Sequence, residues 1–167
     1  MTFALFGAAS IAACWKWGKW RNWRLYYPTV LYLLVGDLVS DYLLCDAPLF
    51  AFCRLSGRTP ALDIAIMLLV YPSTCVLFLS FLPDAWKKQL PYLALWVGIY
   101  TVIEAIAILI GDYRYMGVWN LGYSVLVDVG MFCLLALHYK KPLLVWPVSA
   151  ALAFLMLWWF RIPLVRG

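Results

Sequence analysis

The chain has 167 residues, of which 66% are hydrophobic and 13% are charged, and its mean hydropathy is +0.88. Because a soluble domain carries about 25% charged residues, this composition excludes an ordinary soluble protein and predicts an integral membrane protein. The net charge of +5 does not indicate a nucleic-acid partner, since the thirteen Lys and Arg lie near the ends of apolar runs.

Apolar segments follow one another along the whole chain with short polar turns between them. They predict an all-α fold with one transmembrane helical domain over residues 1–167, a bundle of about six helices. A spanning helix needs about 20 residues, so the first helix is short and could be tilted or partial. The six segments cover residues 2–15, 26–47, 61–82, 90–110, 117–137 and 143–160.

The basic residues alternate between the two sides of this predicted bundle. Eight lie on the side that follows the first, third and fifth segments, and five lie on the other. The positive-inside rule makes the larger group cytoplasmic, which predicts a multi-pass cell-membrane protein with both termini outward. The larger group consists of Lys16, Lys19, Arg21, Arg24, Lys87, Lys88, Lys140 and Lys141.

The second segment carries two acids, Asp37 and Asp41, which share one helical face with Ser40. Carboxylates four residues apart repel each other, so one holds a proton or a positive group lies between them. Two interpretations stay open: the acids belong to a functional site, or they hydrogen-bond neighbouring helices near the outer end.

Polar residues also form stripes on the fourth and fifth segments. Glu104 shares a face with Tyr100, and Asp128 follows Ser124 at an interval of four residues. Because the rest of both helices is apolar, the stripes should face the interior and each other. The predicted site has the catalytic acids Glu104, Asp128, Asp37 and Asp41, and a substrate-binding lining of Trp96, Tyr100, Thr101, Trp119, Asn120, Tyr123 and Ser124.

No Lys or Arg lies inside an apolar segment to neutralise these acids. At least one of Glu104 and Asp128 should therefore carry a proton at neutral pH, as a general acid or a proton or cation site does. The single histidine, His138, is predicted to be a solvated residue at a helix end. One His without nearby Cys or a second His is a poor metal site, and the sequence predicts neither a metal nor a cofactor.

Four parts of the sequence carry a resemblance to known proteins: residues 15–23, residues 27–37, Trp119-Asn120 followed by Asp128, and Leu137-His-Tyr-Lys-Lys-Pro-Leu143. Over nearly its whole length the chain resembles a family of short polytopic membrane proteins from spore-forming Gram-positive bacteria. It implies a bacterial membrane protein of the same architecture and implies no particular activity.

Three functions compete. The favoured one is an enzyme that performs acid–base chemistry on a lipophilic, isoprenoid- or terpene-like substrate, such as cyclisation or isomerisation. Membrane terpene cyclases and sterol isomerases combine intramembrane acids with aromatic rings, but this is an analogy of chemical parts and not of sequence.

The alternatives are a proton- or cation-coupled small-solute transporter and a lipid-binding or assembly subunit. The expected partners are membrane lipids and a lipophilic small molecule, with no nucleic acid, and a homo-oligomer stays open.

Overall fold

A computed structural model describes residues 2–45, 48–54, 57–58, 64 and 66–162. Within these ranges the chain forms six α-helices that match the six predicted segments, although the start of the third segment, residues 61–63, lies outside them. A 3-10 turn, Trp20–Asn22, precedes the second helix, and a π-helical turn, Ile66–Val70, precedes the third. The helices are α1 (Thr2–Trp17), α2 (Trp23–Leu44), α3 (Tyr71–Ser80), α4 (Trp86–Ile110), α5 (Leu121–Lys140) and α6 (Pro142–Trp159).

A small sheet that the sequence analysis did not predict joins two of the connections of this mostly helical fold. Its strands are β1 (Phe50–Arg54), β2 (Gly57–Arg58) and β3 (Tyr113–Tyr115), in the antiparallel order β2-β1-β3. Phe50 lies opposite Tyr115. Aromatic residues favour the pleated conformation, and the pairing satisfies backbone groups that a loop at the end of the bundle would leave open.

The third helix lies at the centre of the bundle. It packs against α1, α2 and α5, and every residue from Thr74 to Ser80 is buried. Phe78, with no exposed surface, contacts the rings of Tyr92, Trp96 and Phe132. With ten residues, this helix is too short to span a membrane by itself, and its apolar side chains are buried against the neighbouring helices.

Two contacts gather three helix connections at one end of the bundle. The backbone N–H of Lys19 donates to Ser80 Oγ at 3.1 Å, and the rings of Tyr26 and Tyr139 lie 6.0 Å apart. These contacts bring together the α1–α2, α3–α4 and α5–α6 connections, which carry the eight basic residues named above. We call this the basic end, and the opposite end, which holds strands β1–β3, the sheet end.

Three of the described helices are long and apolar enough to cross a membrane, namely α4, α5 and α6. With 16 residues, α1 falls short of the usual spanning length. The apolar helical stretch that ends at Ser80 is also short. The 22 residues of α2 suffice in length, but its two aspartates lower its hydropathy. The fold is thus mostly helical and suited to a membrane.

Candidate functional site

The acids of α4 and α5 interact electrostatically with each other. These two helices pack together more extensively than any other pair, and Glu104 is the charged neighbour that acts on Asp128. The Oδ2 atom of Asp128 is enclosed by protein and accepts no hydrogen bond from any described residue. One carboxylate oxygen at the interface of α4 and α5 is therefore buried without a donor among the described residues.

Glu104 is held by a residue that the sequence analysis did not select. The hydroxyl of Tyr115, on β3, donates to Glu104 Oε1 at 2.8 Å. Burial raises the pKa of the Tyr115 phenol well above its usual value, so this hydroxyl remains protonated and able to donate. The bond fixes the orientation of Glu104 at the point where α4 meets the sheet.

Tyr71 lies between the acids of different helices. Asp37, Tyr100, Asp128 and Asp41 all interact electrostatically with its phenol. Asp37 is half-buried, whereas Asp41 is exposed. The site thus extends from α5 across the start of α3 to α2, although the two aspartates of α2 differ in their access to the interior.

Two of the predicted lining residues belong to the packed core, and a third bonds within its own helix. Tyr100 donates to or accepts from Thr74 Oγ1 at 2.8 Å, and its ring meets Phe132 edge-on at 5.1 Å. Trp96 lies against the same phenylalanine at 5.8 Å. Thr101 donates to the carbonyl of Val97 in its own helix. Tyr100 joins this core to the acid site, while Trp96 lies on the side towards the basic end.

An aromatic group lines the site at the sheet end. Trp119 is buried, and its indole N–H donates to Ser124 Oγ at 2.9 Å. Its ring lies 5.7 Å from Tyr123 and 5.3 Å from Phe160 of the α6 terminus. Tyr115, which donates to Glu104, packs against the same buried aromatic group, so this group adjoins the acid site.

Asn120 has a clear structural role as the N-cap of α5. Its Oδ1 accepts from the backbone N–H groups of Gly122 and Tyr123, at 2.9 and 3.3 Å. An N-cap satisfies donors that the first helical turn leaves open. The side chain is exposed, so its contribution here is to position the start of α5 and thereby Ser124.

His138 is not solvated, which corrects the prediction for this residue. It is only 4% exposed, its ring stacks on Tyr32 at 4.4 Å, and its Nδ1 lies 3.0 Å from Thr29 Oγ1. Tyr32 Oη and Ser149 Oγ are 2.6 Å apart. Because Ser149 already donates to the carbonyl of Val145, Tyr32 is the donor. A second buried polar cluster thus lies near the basic end.

The acid site suits protons better than metal ions. Within the described ranges, no three His, Cys, Asp or Glu side chains are placed to hold a metal. Two adjacent carboxyl groups surrounded by phenols and an indole can instead hold, donate and accept protons.

Comparisons with known proteins do not assign the chain to a family. No protein-family model, curated protein or solved structure matches the chain. A functional assignment therefore depends on the site itself.

Proposed function

We propose that the chain is a multi-pass cell-membrane protein whose six helices span the bilayer with both termini outward. The length and hydropathy of α4, α5 and α6 support membrane insertion. The eight basic residues gathered at one end support this orientation, because basic connections are retained on the cytoplasmic side. In this arrangement the acid site lies towards the outer leaflet and His138 towards the cytoplasm.

We propose further that it is an enzyme that rearranges a lipophilic, isoprenoid- or terpene-like substrate by proton transfer. The observation that carries this proposal is the enclosed Oδ2 of Asp128, which lies beside Glu104 and receives no hydrogen bond from the described residues. An ionised carboxylate is costly in such surroundings. Asp128 is therefore the group that holds the transferable proton.

The chemistry balances without a co-reactant. Asp128 donates its proton to a carbon–carbon double bond, and the resulting carbocation is stabilised by the faces of the surrounding rings, by about 2 kcal/mol when desolvated. Loss of a proton from a neighbouring carbon to the Glu104 carboxylate yields an isomerised or cyclised product, and transfer of that proton from Glu104 to Asp128 restores the starting state of both acids. Tyr115 keeps Glu104 in place for that step.

Deuterium exchange tests this proposal without knowledge of the substrate. Purified protein in mild detergent is incubated in D2O with a mixture of isoprenoids and sterols, and the lipids are analysed by mass spectrometry. The wild type should introduce deuterium at carbon into one lipid species, whereas Asp128→Asn and Glu104→Gln should not. Asp84→Asn, at an exposed acid of the α3–α4 turn, serves as the control that retains exchange. An absence of deuterated lipid with the wild type would overturn the enzyme proposal.

A second candidate function, proton-coupled transport, is favoured by the His138 cluster. A transport pathway needs polar groups in both halves of the membrane, and the His138 cluster supplies such groups near the basic end. His138 and Asp128 lie on the same helix, about 15 Å apart along its axis at 1.5 Å per residue. Phe132 and Leu135, each 1% exposed, lie between them in sequence, so two protonatable groups are separated by an apolar barrier.

Proton uptake into proteoliposomes that contain a pH-sensitive dye tests proton-coupled transport and distinguishes it from the enzyme proposal. Acidification driven by an imposed potential should depend on both Asp128 and His138, and should be lost in Asp128→Asn and in His138→Gln. An enzyme would require Asp128 and not His138 for its chemistry. Proton flux in the wild type that survives both substitutions would exclude this pathway.

A further inference from the structure

A cleft opens at the sheet end of α6, beside the aromatic group of the candidate site. Its volume is about 770 Å³, which lies within the range of about 300 to 1,000 Å³ that drug-sized ligands occupy. Five of its lining residues are apolar, and one is a cation. They are Phe154, Leu157, Trp158, Trp159, Ile162 and Arg161.

The cation of this cleft has an unusual backbone conformation. Arg161 has φ of +53°, and among the described residues it is the sole non-glycine residue with positive φ. Glycine or asparagine is the usual residue where a helix ends in this left-handed conformation, and any larger side chain raises its free energy. The turn brings the N–H of Ile162 to the carbonyl of Leu157 at 2.9 Å. Glycine or asparagine would end the helix equally well at a lower free energy. The presence of a guanidinium group at this position therefore needs an explanation.

The cleft adjoins the candidate site. Ile162 and Phe160 pack against the buried group that contains Trp119. On its other side, the Trp119 indole donates to Ser124, and Tyr115, which donates to Glu104, packs against the same buried group. One aromatic wall therefore separates the cleft from the two acids.

We infer that this cleft binds a single-chain lipid with a phosphate head group, held by Arg161 at the rim with its chain along α6. A guanidinium binds phosphate through two parallel hydrogen bonds. A phosphate monoester also carries more negative charge at neutral pH than a carboxylate does, since its second pKa is about 6. The apolar lining accounts for the chain. This inference rests on the proposed enzyme function and specifies its substrate class.

Native mass spectrometry of the full chain in mild detergent tests the inference with geranylgeranyl monophosphate as the probe. We expect one probe per chain, binding at least tenfold weaker for geranylgeraniol and for hexadecanoate, and no binding of inorganic phosphate. Arg161→Gly removes the guanidinium and suits the left-handed backbone, so the protein should fold while its affinity for the probe falls at least tenfold. Arg114→Gln, at an exposed cation of the same end, should bind as the wild type does.

The outcomes separate this inference from the enzyme proposal. Asp128→Asn should bind the probe with unchanged affinity, because the carboxyl does not line the cleft. Equal binding of the phosphate and the alcohol, or unchanged binding by Arg161→Gly, would overturn the inferred head group. Preferential hexadecanoate binding would overturn phosphate as the class. Tight, Arg161-dependent binding without deuterium exchange would leave the cleft standing and overturn the enzyme.

Discussion

The hydroxyl of Tyr115 donates to the carboxylate of Glu104 at 2.8 Å, and so ties strand β3 to the end of α4. The two residues lie only eleven positions apart, yet the bond requires the turn at Gly111, whose φ of +83° reverses the chain after α4. Glycine reaches this conformation without steric cost. A local turn thus places a phenol at one of the two central acids.

Tyr115→Phe should destabilise the protein and disorder Glu104. A hydrogen bond to a charged group contributes about 1.5 to 3 kcal/mol, and the partly buried carboxylate would lose its donor. Thermal unfolding in detergent measures the effect, and any lipid exchange activity should fall with it. The control is Tyr27→Phe at an exposed tyrosine of α2, which should change stability little. Equal effects of the two substitutions would contradict the role assigned to Tyr115.

Asp128→Leu should stabilise the fold while it abolishes proton transfer. A buried acceptor without a donor costs about 1 to 3 kcal/mol, and leucine removes that acceptor from the interface of α4 and α5. The free energy of unfolding should therefore rise. Ser124→Ala, one helical turn earlier, should have the opposite effect because it leaves the Trp119 N–H without its acceptor. A loss of stability in Asp128→Leu would show that the carboxyl has a stabilising partner.

Asn120→Ala should lower stability by about 0.5 to 2 kcal/mol, the usual effect of removing an N-cap. Its Oδ1 accepts from two backbone N–H groups at the start of α5. Ser or Asp at the same position should restore most of the loss, since both cap helices well. If Asn120 instead contacts a ligand, Asn120→Ser will recover stability without recovering activity, which unfolding and deuterium exchange can separate.

The positions of the helices could be predicted because they depend on local composition. The predicted segment 143–160 and the observed α6, Pro142–Trp159, differ by one residue at each end. Larger differences have local causes. Trp86-Lys-Lys-Gln continues α4 beyond its apolar part, and Asn120 starts α5 later than the apolar pattern does. An asparagine before an apolar run is itself a cap signal, so this boundary was available from the sequence.

The contacts of the site could be predicted only in part. The polar stripes that contain Glu104 and Asp128 predicted that both acids face inward, because the remaining surfaces of their helices are apolar. Tyr71 and Tyr115 were not selected, since neither lies on the polar stripe of α4 or of α5. The small sheet was missed because its pairing joins residues about sixty positions apart. The environment of His138 depends on Tyr32, which lies on a different helix.

Thr29→Val should destabilise the protein because it leaves a buried histidine without its partner. Thr29 and His138 are 1% and 4% exposed, and their Oγ1 and Nδ1 atoms lie 3.0 Å apart. Valine keeps the shape of threonine and removes the hydroxyl, so the loss should be about 1 to 3 kcal/mol. Thr29→Ser should retain most of the stability.

Thr101→Val provides the matched control for this substitution. The Thr101 hydroxyl donates to the Val97 carbonyl of its own helix, so its removal leaves no other side chain unsatisfied and should cost much less. Thermal unfolding of the three variants in one detergent makes the comparison. Equal losses for the two valine variants would mean that the contact between Thr29 and His138 makes no specific contribution to stability. That result would also weaken the case for proton-coupled transport, which depends on this buried cluster.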